Sequence, residues 1–403
     1  MNGNNLMDKY KKNSQKKSFC PAAGKCGGCQ LQNMSYARQL SFKQAKVVSL
    51  LGKYAHVGDI IGMDKPVKYR NKVQSAFGVT RSGKIISGVY QSSTHNIVSI
   101  DSCMLENETA DSIIVDIRKL MPSFKLTAYD ERSERGFLRH VLIRTGRVSG
   151  EVMVVLVTAV QRFPSKNNFI KALLELHPEI TTIVQNINDK FTSMVLGDKQ
   201  TVLYGNGYIT DELCSLTFRI SPKSFYQINP EQTQKLYNKA MEFACLKENE
   251  TVLDAYSGIG TIGLCAAKNV KNVICVENNH EAVRDAKINA KLNNIENARF
   301  YCMDAGEFMT QLAKENVHID VVFTDPPRAG CSNEFLNCTC ELSPDRIVYI
   351  SCNPETQARD VFYLTKRGYK VRKIQPVDQF PYTSHIENIV MLSKIKETKV
   401  NEK

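Results

Sequence analysis

The chain contains no run of about 18 apolar residues, which excludes an ordinary membrane-spanning helix. Its first twenty residues are polar and lysine-rich, so the apolar core of a secretory signal is missing as well. No internal repeat is found. Beyond residue 220 there is no excess of either charge, with 23 Lys+Arg against 23 Asp+Glu, whereas residues 1–220 hold 30 against 18 and carry the whole net charge of +12. A basic half joined to a neutral half fits a polyanion-binding module attached to a catalytic one, although charge alone fits a solubilising excess equally well.

What is present is a 403-residue chain, 42% hydrophobic and 23% charged, long enough for two or three domains with cores of their own. Thirteen cysteines, an odd number spread from Cys20 to Cys352, point to a reducing cytosol where they serve as thiols or metal ligands. Residues 1–18 carry Lys9, Lys11, Lys12, Lys16 and Lys17 with little apolar content and are expected to form a disordered basic tail. Residues 19–220 are predicted to form an α+β module with an antiparallel sheet. Within it Val73–Val79 and Ile85–Tyr90 flank the turn Arg81-Ser-Gly83, and His140–Arg144 and Val152–Val157 flank a second turn at Gly146–Gly150. Helices are expected at Ser41–Tyr54 and Asn167–Leu176.

Residues 221–396 change rhythm, and 397–403 are left as a tail. The short apolar runs Thr251–Asp254, Val273–Glu277, Asp320–Thr324 and Arg346–Ser351 each precede a helix-length segment, the pattern of an α/β, Rossmann-like domain with a mainly parallel sheet. Ligands of such sheets bind at the carboxyl ends of the strands, and the notable motifs fall there.

Asp254-Ala-Tyr256-Ser-Gly258-Ile-Gly260-Thr-Ile-Gly263 is a glycine-rich strand-to-helix turn, and Glu277 ends the next strand, placed to accept hydrogen bonds from ribose hydroxyls. This spacing suits a nicotinamide or an S-adenosylmethionine site. Asp325-Pro-Pro-Arg328 favours the second, because a rigid polar turn beside the cofactor suits positioning of an acceptor base and has no part in hydride transfer. Amino-group methyltransferases carry an aromatic residue after the two prolines, and Arg328 stands there instead. Ser351-Cys352-Asn-Pro354 is a further strand end entering a helix, whose N-terminus is expected to lower the Cys352 thiol pKa and make it a nucleophile. Carbon 5 of uracil is too poor a nucleophile to attack a sulfonium methyl unaided. Adding a thiolate at carbon 6 activates it, and a base must then remove the carbon 5 proton. Glu387, in His385-Ile-Glu387, is the candidate base.

Together with Ser224-Phe225-Tyr-Gln227-Ile-Asn229, these motifs resemble, in order and over nearly the whole chain, the signature of the RNA 5-methyluridine methyltransferases. The resemblance implies Cys352 as nucleophile and Glu387 as base. It also implies an S-adenosylmethionine site lined by Gln227, Tyr256, Glu277 and Asp325, and Phe225 stacking on the target base. RNA 5-methylcytosine enzymes place a cysteine after the proline of Asp-x-Pro-Cys, where this chain has Arg328 after Pro327.

Cys20, Cys26 and Cys29, separated by glycines, have metal-ligand spacing, and Cys103 is the best candidate for a fourth ligand. Four thiolates suit zinc or an iron–sulfur cluster. The resemblance implies a 4Fe-4S cluster, a feature of the ribosomal-RNA members, and hence 23S rRNA as partner. It also implies that the small N-terminal β-barrel of many members is missing here, since nineteen residues precede Cys20. Arg70, Lys72, Arg139 and Arg144 are then candidates for phosphate contact. A transfer-RNA enzyme and a non-catalytic, metal-containing RNA-binding protein are the alternatives. No membrane association or obligate protein partner is expected.

Overall fold

A computed structural model describes residues 20–395 apart from positions 93 and 316, so the expected tails at 1–18 and 397–403 lie outside the described residues. The described chain forms two compact units, one of residues 20–33 and 65–230, the other of residues 34–64 and 231–395. Among the described residues no helix is long and apolar enough to cross a membrane.

In the first unit, β1 (Lys72–Val79), β2 (Ile85–Tyr90), β3 (Ile97–Ser99), β4 (Leu138–Thr145), β5 (Val152–Thr158), β6 (Ile180–Ile187) and β7 (Lys199–Tyr204) form one sheet in the order β3-β2-β1-β4-β5-β6-β7. Both expected hairpins are present, with Ala76 opposite Gly88 and Val141 opposite Leu156. The sheet is not wholly antiparallel: β5 and β6 run parallel. The helix Lys166–Leu176 links them, as a parallel pair needs a crossover rather than a hairpin. That helix turns Phe169, Ile170 and Leu173 onto Leu156 and Ile183, so its three-to-four-residue apolar spacing closes the core on this face. A hairpin of β8 (Ile209–Leu213) and β9 (Leu216–Ile220) follows.

The second unit contains β10 (Thr251–Ala255), β11 (Asn272–Glu277), β12 (Ala298–Cys302), β13 (Val321–Thr324), β14 (Arg346–Ser351), β15 (Tyr369–Val377) and β16 (Glu387–Lys394), in the order β12-β11-β10-β13-β14-β16-β15. β10 to β14 are parallel, whereas β16 is antiparallel to both of its neighbours. The central strands are continuous apolar runs because helices cover both faces, and β13 and β14 are buried almost throughout. The strand order reverses between β10 and β13, so the crevice for a ligand opens at the carboxyl ends of those two strands.

Two boundaries differ from expectation. The division falls at Pro230/Glu231 rather than after residue 220, and residues 34–64 belong with the parallel sheet. The helix Tyr36–Leu51 buries Gln39, Phe42, Lys43, Val47 and Leu51 along one stripe, and Val47, Leu51 and Val57 share a core with Val371 and Ile374 of β15. Parallel bridges from Val57 to Ile374 and from Ile61 to Val377 fix the following segment. Lys43 is fully buried in an ion pair with Asp378, which compensates two charges removed from water.

Candidate active site

An acidic group stands at or just beyond the carboxyl end of every parallel strand except β14, which ends in a thiol. Asp254 lies within the end of β10, Glu277 closes β11, Asp304 follows β12 and Asp325 follows β13. Tyr256, just past β10, has φ 69°, a left-handed backbone that bulky side chains rarely adopt and that tends to persist at functional sites. Gly258 and Gly260 are also left-handed, at φ 56° and 85°. The turn is tied to the next strand: the Ser257 N–H donates to the Val276 carbonyl at 2.9 Å, and the Gly258 N–H to Glu277 Oε2 at 3.0 Å. Glu277 Oε1 accepts from the Asn279 N–H at 2.9 Å.

Asp254 is fully buried and accepts from the Gly263 N–H at 2.7 Å. A Cβ at position 263 would come within 2.6 Å of Cys275 Sγ and 3.0 Å of Asp254 Oδ2, so glycine is required by close packing of the helix Thr261–Ala267 on the sheet. Burial, opposed by that N–H, and then the charges of Asp325 and Glu277 raise the Asp254 carboxyl to about 8. Burial raises Asp325 to about 7. Asp254 is buried and Asp325 half-buried, and a cationic ligand in this crevice would favour the charged forms of both.

Cys352 and Glu387 are neighbours electrostatically. The register pairs Ser351, the last residue of β14, with Asn388 of β16; Cys352 follows the one, Glu387 precedes the other, and the Glu387 charge acts on the Cys352 thiol. Cys352 is half-buried and Glu387 buried. Asn353 caps the helix Pro354–Thr365 by accepting from the Glu355 N–H at 3.1 Å, and its amide donates to the Arg328 carbonyl at 3.1 Å. Thr356 Oγ1 donates to the same carbonyl at 3.2 Å. The Asp325-Pro-Pro-Arg328 turn is thereby fastened to the Cys352 turn.

The expected lowering of the Cys352 thiol is not found. Burial, followed by the charges of Glu387 and Asp325, pushes it up to about 11, against the pull of Arg328 through charge and a hydrogen bond. Glu387 is raised well above the usual carboxylate range by burial and by Asp325, and Arg328 opposes this. Burial is the largest cause, the two neighbouring acids add to it, and Arg328 offsets only part of the rise.

Tyr256, Glu277, Asp325, Cys352 and Glu387 therefore lie along the carboxyl edge of one sheet. Gln227 and Phe225 belong to the other unit: Gln227 is buried and its carbonyl accepts from Asn71 Nδ2 at 3.2 Å, while Phe225 is 68% exposed. Sequence reasoning gave no role to Asp254, Arg328, His385 or Asp304. Arg328 donates to the His385 ring at 3.2 Å, and both border Cys352 or Glu387 in motifs already singled out. Asp304 accepts from the N–H groups of Gly306 and Glu307, and only its position three residues before a Glu marked it beforehand.

In the first unit Cys20, Cys26, Cys29 and Cys103 are half-buried and line one cavity of about 770 Å³. Cys29 is pushed up to about 12 by burial and then by the charges of Cys103, Cys26 and Cys20, with Arg70 opposing. Burial and Glu106 raise Cys103 to about 11, although the Leu105 N–H donates to its sulfur at 3.5 Å. Thus the other three thiols lie within electrostatic reach of Cys29, and four thiols are the right donor set for a cluster in number and chemistry, although they are not gathered around one point. Among the described residues no group of three or more His, Cys, Asp or Glu side chains is arranged to hold a metal ion.

Two phosphate candidates have structural roles instead. Arg139 is buried and donates to the carbonyls of Asn188 and Lys190 at 2.7 and 2.8 Å. Arg144 is buried and donates to the Ser224 carbonyl. Burial and then Arg144 lower Lys72 to about 8. Arg70 is half-buried beside the cysteines.

Residues 36–395 match the family model of the tRNA (uracil-5-)-methyltransferases. An uncharacterized RNA methyltransferase of Bacillus cereus is 42% identical over 388 residues, covering 95% of this chain and 84% of that protein. One from Halalkalibacterium halodurans is 44% identical over 378 residues, covering 93% and 82%. The crystal structure of the Pyrococcus abyssi tRNA (uracil-54, C5)-methyltransferase in complex with S-adenosyl-L-homocysteine superposes with a TM-score of 0.74 at 30% identity, over 91% of this chain and 86% of that one. The acid-lined crevice at the strand-order reversal, the neighbouring thiol and carboxylate beside it, and a family match over nearly all described residues agree: the chain belongs to the tRNA (uracil-5-)-methyltransferase family and is an S-adenosylmethionine-dependent RNA methyltransferase.

Proposed function

We propose that the protein methylates carbon 5 of a uridine in RNA through a covalent adduct of Cys352, with Glu387 as the base. The observation that supports this reading is that Cys352 follows β14, the buried Glu387 opens its partner strand β16, and the charges of Glu387 and Asp325 both act on the thiol. The Cys352 sulfur bonds to uracil carbon 6, and the electrons of the carbon 5–carbon 6 double bond move into an enolate. Carbon 5 then takes the methyl group of S-adenosylmethionine, leaving S-adenosylhomocysteine. Glu387 removes the carbon 5 proton, and the carbon–sulfur bond breaks as the double bond re-forms. Arg328 favours the thiolate, and a bound sulfonium adds a second positive charge near Asp325 and Glu387. Tyr256, Glu277 and Asp325 hold the methyl donor. RNA carrying 5-fluorouridine should form a stable adduct with the wild type and none with Cys352→Ala. An adduct that survives the substitution removes Cys352 from this role.

Cys20, Cys26, Cys29 and Cys103 hold a 4Fe-4S cluster whose part is structural, since methyl transfer consumes no electrons. The shared cavity and the influence of Cys20, Cys26 and Cys103 on Cys29 support this. Anaerobic purification should give brown protein containing iron and acid-labile sulfide, and colourless zinc protein would refute it. The substrate we favour is 23S rRNA, because the cysteine pattern resembles that of ribosomal-RNA members, and the compartment is the cytoplasm. Likeness to the Pyrococcus abyssi enzyme supports a second reading, a transfer-RNA substrate. Labelled methyl donor offered with separate unmodified 23S rRNA and tRNA pools distinguishes them by which pool takes up label.

A further inference from the structure

The loop between β6 and β7 presents two large apolar side chains to solvent, Phe191 at 81% exposure and Met194 at 68%. Its base is held on several sides. Arg139 donates to the carbonyls of Asn188 and Lys190. Asn188 Nδ2 donates to the carbonyls of Met194 and Val195 at 2.7 and 3.0 Å. Asn186 exchanges two hydrogen bonds with the Gly197 main chain, at 2.7 and 3.0 Å. The loop is thus braced in one shape, with its apolar tip outward.

Beside it runs the bend at Val160–Arg162, fixed by Gln185 Nε2 donating to the carbonyls of Val160 and Gln161 at 3.2 and 3.1 Å. Arg162 and Lys199 are exposed and have no ion-pair partner among the described residues, while Lys190 is paired with Asp198. An isolated exposed apolar residue needs no explanation, but an aromatic ring on a loop whose base is tied to a buried arginine, with unpaired cations on the flanking segments, has the makings of a stacking platform. A protein partner's apolar surface would be served by Met194 and Phe191 alike. The cations favour a polyanion, and the sequence up to residue 220 carries the whole positive excess of the chain.

We propose that Phe191 stacks on an unpaired base of the RNA substrate at a position other than the methylated uridine, with Arg162 and Lys199 meeting the adjoining phosphates. The proposal rests on the reading of the chain as an RNA methyltransferase. It gives Arg139 a positioning role, since Arg139 holds the loop and makes no contact with RNA.

The test uses the full-length protein and an unmodified RNA transcript that the wild type methylates. Loss of one base–aromatic stack should raise KM for RNA in Phe191→Ala roughly 5- to 150-fold, with kcat at saturating RNA within about threefold of wild type. Phe191→Tyr should restore KM, Phe191→Leu should not, and all three should melt with the wild type because the ring is exposed. Irradiation of the complex with 4-thiouridine-substituted RNA should attach the RNA to the peptide containing Phe191. The proposal is overturned if Phe191→Ala leaves KM within twofold of wild type, or if Leu replaces Phe fully. It is equally overturned if the substitution only converts a dimer to a monomer, which would make the loop a self-association surface. Failure of the wild type to methylate any RNA would instead remove the functional reading itself.

Discussion

The reactivity of Cys352 in the ligand-free protein tests whether burial and its carboxylate neighbours, or its helix N-terminus, govern the thiol. A thiol raised to about 11 has roughly one thousandth of its population as thiolate at pH 8, against roughly one tenth for an ordinary thiol near 9. The more basic thiolate is intrinsically the better nucleophile, and with a Brønsted slope of about 0.4–0.5 two pKa units return a factor of about 6–10. Reaction of Cys352 with a dithiodipyridine reagent should therefore be on the order of tenfold slower at pH 8 than that of an unstructured cysteine peptide, before hindrance by its half-buried position is counted. The rate should continue to climb beyond pH 9. Glu387→Gln, which removes the second-largest cause of the shift, should move the profile to lower pH, and Arg328→Gln, which removes the opposing cation, should move it higher. Peptide mapping by mass spectrometry follows Cys352 separately from the other twelve cysteines. A plateau at or below pH 9 in the wild type would refute the reasoning and show that the helix N-terminus dominates.

Glu387→Gln should allow methyl transfer but slow release, so that a denaturation-resistant RNA adduct accumulates and turnover falls by roughly 10²–10⁴ as expected for loss of a general base; normal turnover would make Glu387 a bystander. Gly263→Ala must push a methyl group against Cys275 and Asp254, and overpacking of this kind costs about 1–3 kcal/mol. Calorimetric titration should show weakened S-adenosylmethionine binding, since the displaced helix begins at the cofactor turn. Lys43→Met leaves Asp378 charged and buried without its cation, a loss of about 3–5 kcal/mol readable as a lower urea midpoint, and Lys43→Met with Asp378→Leu should recover much of it.

The chemistry was legible where it was local. Each parallel strand of the second unit ends in a short polar motif, and the apolar run before it fixes where that motif stands; Arg346–Ser351 was read to the residue, and Cys352 follows it. The edge strand Ala298–Cys302 escaped because its half-exposed, aromatic-containing alternation lacks the continuous apolar run of its neighbours, and Asp304 was lost with it. The helix Tyr36–Leu51 was visible from its stripe, but a stripe states that a face is buried and not what covers it. Its partner is a strand more than 300 residues later, a pairing that periodicity does not encode. The proximity of Cys352 to Glu387 has the same origin in space, since it depends on β16 being inserted antiparallel between β14 and β15.

Charge was the signal that sequence overread. A count of cations weights an arginine at the surface and one in a β-strand equally, although only the first is available to a phosphate. Arg139 and Arg144 both lie in β4, a strand buried along its whole length, where an unpaired guanidinium would be costly and carbonyl partners offset the loss of water. The excess in residues 1–220 therefore overstates the number of phosphates this unit can neutralise. The salt dependence of RNA affinity counts only contacts made, so its slope should be set by exposed cations such as Arg81, Lys84, Arg162 and Lys199 rather than by formal charge. Buried arginines act differently, by fixing the main chain beside Phe191 and Phe225.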